Sequence, residues 1–362
     1  MTGRPYVLHG ALGSPYSMKM RALLRYRRLP FIWTQGLGAH ALASRLRVPV
    51  IPVLEYPDGT LRNDSTDLIA DLDARHPERR VAPDDAARAM LAILIEDFAD
   101  EWLTKAMYFY RWGAPASARR QSATWLCHDF LMSGGAASPL TQPAQFEQRQ
   151  VERLDRVGCA SVSVPCIERA AREFLAVLER HAAASLFFFG SRPSAAEFAL
   201  YGQLSQLVLD EVPLAMLRRD APFTYRWLWH LEDLSGIDGR WDEAQTPLAG
   251  ALEPLLALVG ATHGKLLLAN EAAAARGADR VRLQILGLPF EQPTNRYLLK
   301  CLNTLRTTYR ALPTTARSSL RPLLAATGCL QALDQDLREP LSTRLTLAVP
   351  SKPPRVVKPK GR

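Results

Sequence analysis

The order of secondary-structure patterns along residues 5–76 constrains the fold of this chain more than any other feature. A strand-like YVLHG (6–10) precedes a helix-like PYSMKMRALLRYRR (15–28), and a β-branched, aromatic FIWTQ (31–35) follows. The runs PVLEY and TLRN then flank PDG, a turn sequence, before the helix-like DSTDLIADLDARH. This order of βαβ, hairpin and helix predicts an α/β unit with a mixed sheet.

From Pro83 onward the pattern changes to long amphipathic helices, beginning with residues 84–112. In the helix predicted over 192–209, Ser194 and Glu197 have the spacing of a capping box. The region beyond residue 245 is also mostly helix-like, with one strand-like stretch, VRLQILGLPFEQ. We therefore predict an α/β domain at 1–78, an all-helical domain at 83–240, an additional mostly helical region at 245–347 and a basic, disordered tail at 348–362.

Composition favours a soluble protein, because 48% of the residues are hydrophobic and 22% are charged. No apolar run reaches the ~18 residues of a transmembrane helix, and the N-terminus lacks a signal-peptide pattern. The five cysteines are widely spaced, which favours a reducing cytoplasm. The net charge of +9 is concentrated in the tail after Val349, which holds five basic residues and no acidic one. The sequence therefore predicts neither a membrane protein nor a nucleic-acid-binding one.

The segment GSPYSMKMR (13–21) lies at the predicted turn from the first strand into the first helix. Ser14 and Ser17 stand where a glutaredoxin has its two cysteines, so dithiol exchange at this turn is excluded. The histidines show no metal-ligand spacing, and no phosphate loop or nucleophile elbow is present.

Four segments in order along the chain resemble the cytosolic glutathione transferases. They are GSPYSMKMRALL, VPVIPVLEYPDG, NDSTDLI and GSRPSAAEFALYGQL, and the resemblance covers roughly residues 5–235. It implies a thioredoxin-like domain followed by an all-helical domain, glutathione as co-substrate, no metal, and a homodimer. The region 245–347 departs from the shorter chains of this family.

The resemblance also implies a binding site for glutathione. Asp64 matches the family residue that pairs with the α-ammonium group of glutathione. Ser65 matches the family residue that binds the α-carboxylate of glutathione at a helix N-terminus. Ser65 is also a candidate helix cap, and the two roles are compatible. Pro52 is the preferred cis-proline, with Pro49 as the alternative, and its cis bond would turn the backbone of Ile51 toward the ligand.

Ser14 matches the catalytic residue of serine-type transferases, whose hydroxyl donates a hydrogen bond to the glutathione thiolate. Since the sulfur of the ligand is the nucleophile, no covalent enzyme intermediate is needed. The alternative is that Ser14 only caps the first helix. Tyr6, the other hydroxyl near the first strand, ranks below Ser14 because it lies at the beginning of that strand.

A pocket for a hydrophobic electrophile is expected beside the first long helix. Its candidate lining residues are Trp102, Met107, Tyr108, Tyr110 and Trp112, with Tyr108 or Arg111 as the group that polarises the electrophile. The alternative is that these aromatic side chains form interhelical core.

Two hypotheses for the function follow. The first is a cytoplasmic glutathione transferase that joins the glutathione thiolate to a small hydrophobic electrophile. The second is a non-catalytic binding or scaffold protein that keeps the transferase fold. The coexistence of Ser14, Asp64 and Ser65 favours the first, and the long C-terminal region keeps the second open.

Overall fold

The computed structural model of the protein describes residues 4–131 and 142–334. The N-terminal unit has the predicted order of elements, and one short helix, α2, forms in a stretch where the sequence pattern is weak. The elements are β1 (Tyr6–Gly10), α1 (Pro15–Tyr26), β2 (Phe31–Gln35), α2 (Leu37–Ala43), β3 (Val53–Glu55), β4 (Leu61–Asn63) and α3 (Ser65–Arg75).

The four strands form one mixed sheet in the order β2-β1-β3-β4. Strand β1 pairs in parallel with β2, and β1–β3 and β3–β4 are antiparallel, so the predicted mixed sheet is confirmed. In the register, Leu8 lies between Trp33 on one side and Leu54 on the other. Leu8 and Leu54 are fully buried, as expected for the centre of a sheet covered by helices.

The helical part that follows begins with a helix that covers most of the predicted run 84–112. Its hydrogen bonding changes from α-helical to π-helical over one turn, Ala99–Leu103. The segments are α4 (Ala86–Phe98), α5 (Thr104–Trp112), α6 (Ala116–Leu131), α7 (Pro143–Val151), α8 (Leu154–Val157), α9 (Val164–Ala182), α10 (Ala195–Leu207), α11 (Glu211–Asp220) and α12 (Pro222–Leu231). The predicted capping box is confirmed, because the Ser194 amide donates to Glu197 Oε2 at 2.8 Å and Ser194 Oγ accepts from the Ala196 amide.

Close packing of α1 on α10 joins the two parts of the chain. At Gly202 of α10, an added Cβ would lie only 2.6 Å from the carbonyl oxygen of Pro15. A side chain at this position would therefore push α10 away from the first turn of α1. The Gln206 side chain also donates a hydrogen bond to the Leu12 carbonyl oxygen at 2.9 Å. Helix α10 thus supports the turn that carries Ser14.

The region after residue 245 is helical with one β-hairpin. It consists of α13 (Leu252–Val259), a π-helical turn (Gly260–Gly264), α14 (Lys265–Ala275), β5 (Arg280–Ile285), β6 (Leu288–Pro293), α15 (Arg296–Ala311), α16 (Thr314–Ala326) and α17 (Leu330–Leu333). The strand-like sequence thus forms both arms of the hairpin, and its turn at Leu286–Gly287 has positive φ at both residues.

This region packs on the helical part. His263 Nε2 lies 2.5 Å from Asp97 Oδ2 on α4, and the Ser163 hydroxyl donates to the Glu291 carbonyl oxygen at 2.9 Å. The continuous helix Leu252–Ala275 is long and apolar enough to cross a membrane, but 61% of its apolar 18-residue window is buried inside the protein. The predicted tail at 348–362 lies outside the described residues.

Candidate functional site

A cleft of about 1540 Å³ lies where three parts of the molecule meet. One side is formed by the N-terminal unit, at the start of α1, the loop before β3 and the start of α3. A second side is formed by α4 and α5 with α7 and α8, and a third by the beginning of α15. Ser14, Ile51, Pro52, Asp64 and Ser65 all line this cleft, although they come from three separate segments of the sequence.

Ser14 is the N-cap of α1 and is half-buried. Its Oγ accepts a hydrogen bond from the Ser17 amide at 3.3 Å. Because this bond uses only an oxygen lone pair, the hydroxyl hydrogen of Ser14 remains available to an anion in the cleft. The capping role and the donor role are therefore compatible. Ser17 is fully buried, and its Oγ accepts a hydrogen bond from the Ala11 amide at 3.3 Å. This bond stabilises the turn between β1 and α1.

The peptide bond between Ile51 and Pro52 is cis, whereas that preceding Pro49 is trans. No hydrogen bond joins the backbone of Ile51 to another residue within 4–131 or 142–334. The loop before it is held by Asn63, whose side-chain amide donates to the carbonyl oxygens of Val48 at 2.6 Å and Val50 at 3.0 Å. The amide and carbonyl of Ile51 are thus free to pair with an extended ligand in the cleft.

Asp64 and Ser65 begin α3. Asp64 has a φ of 74°, an uncommon conformation for a residue other than glycine. Ser65 is buried, and its Oγ accepts a hydrogen bond from Lys19 Nζ at 3.3 Å. The Ser65 hydroxyl hydrogen therefore remains able to donate to a carboxylate, beside the free amides of the helix N-terminus.

Lys19 anchors a buried network that the sequence analysis missed. Its Nζ lies 2.6 Å from Glu96 Oε1 and 2.7 Å from Asp100 Oδ2, and so links α1 and α3 to α4. Burial acts to lower the pKa of Lys19, but the two carboxylates outweigh burial and raise this pKa above its usual value. Burial also raises the pKa of Asp100 to about 6, against the opposing effect of Lys19. The available signal was a lysine on the apolar face of a helix, in register with Pro15 and Ala22.

The carboxylate of Asp64 has partners in the C-terminal region. Lys300 Nζ lies 2.9 Å and the Tyr297 hydroxyl 3.3 Å from Asp64 Oδ2, and Lys300 Nζ also lies 3.4 Å from Asp67 Oδ2. Half of the Lys300 side chain is exposed. Sequence reasoning did not find these two residues, because nothing in the local pattern of α15 indicates which helix start it will contact.

The expected aromatic wall is only partly present. Met107, Tyr108, Arg111 and Trp112 line the cleft, and the ring of Trp112 packs against Phe146 of α7. Tyr110 and Trp102 are not among the lining residues. The structure differs from expectation at Trp102, whose indole is buried against Phe290 of the hairpin, with ring centroids 5.4 Å apart.

The hydroxyl of Tyr108 and the guanidinium of Arg111 are both engaged within the protein. The Tyr108 hydroxyl lies 2.8 Å from the Gln150 carbonyl oxygen and 2.9 Å from Gln150 Oε1. Arg111 is buried and donates to Asp210 Oδ2 at 3.0 Å and to the Gln206 carbonyl oxygen at 2.7 Å. Neither group is free to polarise an electrophile in this arrangement, which is a correction to the expectation for both.

Glu101 lies in the π-helical turn and lines the cleft. Its carboxyl group forms no hydrogen bond or ion pair with any residue of 4–131 or 142–334. Burial, followed by the charges of Asp97 and Asp100, raises the pKa of Glu101 to about 8. The cleft therefore contains a carboxyl group that holds its proton at neutral pH. No local pattern indicates this raised pKa, because it depends on the helices that surround Glu101.

The five cysteines are all buried and form no disulfide among the described residues, and burial raises the pKa of Cys301, which lines the cleft. A thiol of this kind is a poor nucleophile. Within the described ranges, no group of three or more histidine, cysteine or acidic side chains is arranged to hold a metal ion.

Two segments of the chain match known domain families. Residues 8–80 match the family described as glutathione S-transferase, N-terminal domain. Residues 144–228 match the family described as glutathione S-transferase, C-terminal domain. The first match lies in the N-terminal unit that contains the sheet, and the second lies in the helical part that follows it. No curated protein sequence matches the chain.

Several solved structures resemble the chain. A glutathione S-transferase from Methylobacterium radiotolerans, in complex with glutathione sulfonate, is 20% identical, with 67% of this chain and 98% of that chain covered and a TM-score of 0.38. A glutathione S-transferase from Methylobacillus flagellatus with glutathione bound is 20% identical. The match covers 62% of this chain and 93% of that chain, with a TM-score of 0.37. FzlA from C. crescentus is 17% identical, with coverages of 70% and 92% and a TM-score of 0.42.

Proposed function

Because this chain belongs to the glutathione S-transferase family, we propose that it is an enzyme that binds glutathione and activates its thiol for attack on an electrophile. The observation that carries the proposal is the meeting of Ser14, Ile51, Asp64 and Ser65 around one cleft. The residues offer a carboxylate (Asp64), two hydroxyls (Ser14 and Ser65) and a free backbone amide and carbonyl (Ile51). Glutathione presents an ammonium group, carboxylates, a thiol and a peptide backbone, which these groups can bind.

Asp64 and Ser65 bind the γ-glutamyl end of glutathione in this proposal. The Asp64 carboxylate pairs with the α-ammonium group, and the Ser65 hydroxyl with the α3 amides holds the α-carboxylate. The free amide and carbonyl of Ile51 pair with the backbone of the cysteinyl residue, as an added strand does. The thiol of the ligand then points toward the start of α1.

Ser14 acts on that thiol. A free thiol has a pKa near 8.5, so the reactive thiolate is a minority species at neutral pH. A hydrogen bond from Ser14 and the positive end of α1 both favour the thiolate, and the proton leaves to solvent. The thiolate attacks the second substrate, which approaches along the wall that contains Tyr108 and Trp112.

A second candidate is a binding or scaffold protein that does not turn over. The contact of Lys300 with Asp64 favours it, because the chain's own ammonium group already satisfies the carboxylate assigned to the ligand. The two candidates differ in turnover, and both predict glutathione binding.

The test measures glutathione binding by calorimetry and conjugation with 1-chloro-2,4-dinitrobenzene. The Ser14→Ala variant is expected to lose about 10- to 150-fold in kcat/KM, since a hydrogen bond to a charged group contributes about 1.5–3 kcal/mol. Thiolate absorbance should show a higher thiol pKa for glutathione bound to this variant. Ser319→Ala, an exposed hydroxyl outside the cleft, is the matched control. Binding without turnover would favour the scaffold, and absence of binding would contradict both candidates.

We further propose the division of the chain given by its sequence: a glutathione-binding domain at 1–78, a helical domain at 83–240 and an added region at 245–347. The contact between α15 and the start of α3 supports a role for the added region at the glutathione site. A homodimer, which the family resemblance implies, and a cytoplasmic location, which the widely spaced cysteines favour, complete the proposal.

A further inference from the structure

The part of the cleft beside α5, where the second substrate is proposed to bind, has few polar groups on its aromatic wall that are free to contact a ligand. Its aromatic wall carries two expected polar groups, Tyr108 and Arg111, and both are bonded within the protein. Polar groups that are available to a second substrate come from α7 and α8, which pack against α5 on the same side of the cleft.

Three arginines, Arg149, Arg153 and Arg156, lie along α7 and α8 and line the cleft. All three are exposed, and none forms an ion pair with a carboxylate in the ranges 4–131 and 142–334. The nearest contact is weak, because Arg153 Nη1 lies 3.4 Å from Gln150 Oε1.

Groups on both sides of Arg149 respond to its charge. Burial lowers the pKa of His40 on α2, and the charge of Arg149 lowers it further. Burial raises the pKa of Tyr108 to about 12, while the charges of Arg153 and Arg149 oppose that rise. Arg149 therefore lies near both the N-terminal unit and the aromatic wall, and all three line the cleft.

Charge is distributed unevenly along the cleft. Asp64, Asp67 and Asp97 lie at the end where α3 meets α4 and α15, and Lys300 is the cation beside them, 2.9 Å from Asp64 Oδ2. The arginines lie at α7 and α8, where two acidic groups also line the cleft: Glu152, which accepts a hydrogen bond from Gln148 at 2.8 Å, and Asp129 of α6. Positive charge in a partly enclosed cleft attracts anions. The acidic end suits the ammonium group of glutathione, and the arginine wall suits a ligand of negative charge.

We propose that the second substrate of this protein is an electrophile with a carboxylate or a similar anionic group, bound by Arg149 and Arg153 beside Tyr108. The inference rests on the proposed function. The reaction with an aryl halide of this kind forms a bond between the glutathione sulfur and the ring carbon and breaks the carbon–halogen bond. The halide leaves with the electron pair, and the thiol proton has already gone to solvent.

The test compares two conjugates that differ only in charge, S-(4-carboxy-2-nitrophenyl)glutathione and its carboxamide analogue S-(4-carbamoyl-2-nitrophenyl)glutathione. Calorimetry with the wild-type protein is expected to show the carboxylate conjugate binding about tenfold tighter, as expected for charge-assisted hydrogen bonds to a guanidinium. This preference should weaken as salt is added. Binding of the conjugates does not depend on turnover, so the result also applies to an inactive protein.

The double variant Arg149→Gln/Arg153→Gln is expected to reduce the preference to less than about twofold, because the charged partners are gone. Arg172→Gln removes an exposed arginine of α9 outside the cleft and should keep the preference. Equal affinities in the wild-type protein, or a preference that survives in the double variant, would overturn the inference.

Failure of the proposed function can be distinguished from failure of the inference by measuring the binding of glutathione itself beside that of the two conjugates. If neither glutathione nor either conjugate binds, the proposed function and the inference both fall. If glutathione binds and the two conjugates bind equally, only the inference falls. Rates with 4-chloro-3-nitrobenzoate and 4-chloro-3-nitrobenzamide, each divided by its uncatalysed rate with glutathione, extend the comparison to turnover.

Discussion

Lys300 Nζ lies 2.9 Å from Oδ2 of Asp64, although the two residues are 236 positions apart in the chain. The contact brings α15 of the added region onto the start of α3, where the ammonium group of glutathione is proposed to bind. Lys300 presents the same kind of group, a primary ammonium, to the same carboxylate. The added region is therefore part of the wall of the cleft.

Replacing Lys300 with Met is expected to tighten glutathione binding by up to about fivefold, because an exposed ion pair contributes about 0.2–1 kcal/mol and competes with the ligand's ammonium group. Calorimetry measures the Kd. Lys265→Met, at an exposed position outside the cleft, is the control for loss of one positive charge. A weaker affinity in Lys300→Met would mean that Lys300 holds the ligand and does not compete with it.

Asp64→Asn is expected to weaken glutathione binding by about tenfold or more, since it removes a charge-assisted hydrogen bond. Asparagine tolerates a positive φ, so the backbone of the turn should persist in the variant. Asp67→Asn removes an equal charge from the other carboxylate that Lys300 contacts and is the matched control. Similar Kd values for the wild-type protein and Asp64→Asn would rule out the ammonium-binding role.

Lys19→Met is expected to lower the free energy of unfolding by about 3–5 kcal/mol, because it leaves buried carboxylates without their cation. Urea denaturation followed by circular dichroism measures the change. Adding Asp100→Asn to Lys19→Met should recover part of the loss, since one of the uncompensated charges is then removed. A loss below about 1 kcal/mol in the single variant would show that the network is not the anchor of α1.

Glu101 should make the protein less stable as the pH rises. Its pKa is raised to about 8 in the folded protein and is near 4.5 when unfolded, so the folded state holds the extra proton between these values. Unfolding free energy therefore falls with increasing pH across this window, by at most about 1.4 kcal/mol per pH unit.

The Glu101→Gln variant lacks this titration and should gain stability relative to the wild-type protein between pH 5 and pH 8. Urea denaturation at both pH values gives the comparison, and the difference between the two proteins removes the contribution of other groups such as Asp100. Glu253→Gln, at an exposed position on α13, is the control. A constant difference across the pH range would show that Glu101 titrates normally.

Features that depend on nearby residues could be predicted from the sequence. The capping box of Ser194 and Glu197 lies within one helical turn, and the hairpin of β3 and β4 follows from its PDG turn. The assignment of the cis bond to Ile51–Pro52 came from the family resemblance and agrees with the structure. Each of these depends on short-range geometry or on a local motif.

Features that depend on packing could not be predicted. The aromatic segment of α5 and the π-helical turn has a uniform composition, but only packing decides that Trp102 faces the hairpin while Trp112 faces the cleft. The same holds for Tyr108 and Arg111, whose polar groups are taken by Gln150 and Asp210. Helical periodicity gives the direction of a side chain relative to its own helix and does not give the partner that it meets.

The order of the elements and the mixed sheet followed by helices could be predicted from the amino-acid sequence, because they follow from periodicity and turn chemistry. The candidate residues Ser14, Pro52, Asp64 and Ser65 came from the resemblance of their segments to the glutathione transferases. The contacts of Lys19 with Ser65 and of Lys300 with Asp64 became visible only in the folded protein. The same is true of the arginines that α7 and α8 bring to the cleft without an ion pair to any described carboxylate. The physical reason is that an ion pair needs two groups within about 4 Å, and packing alone brings distant segments that close.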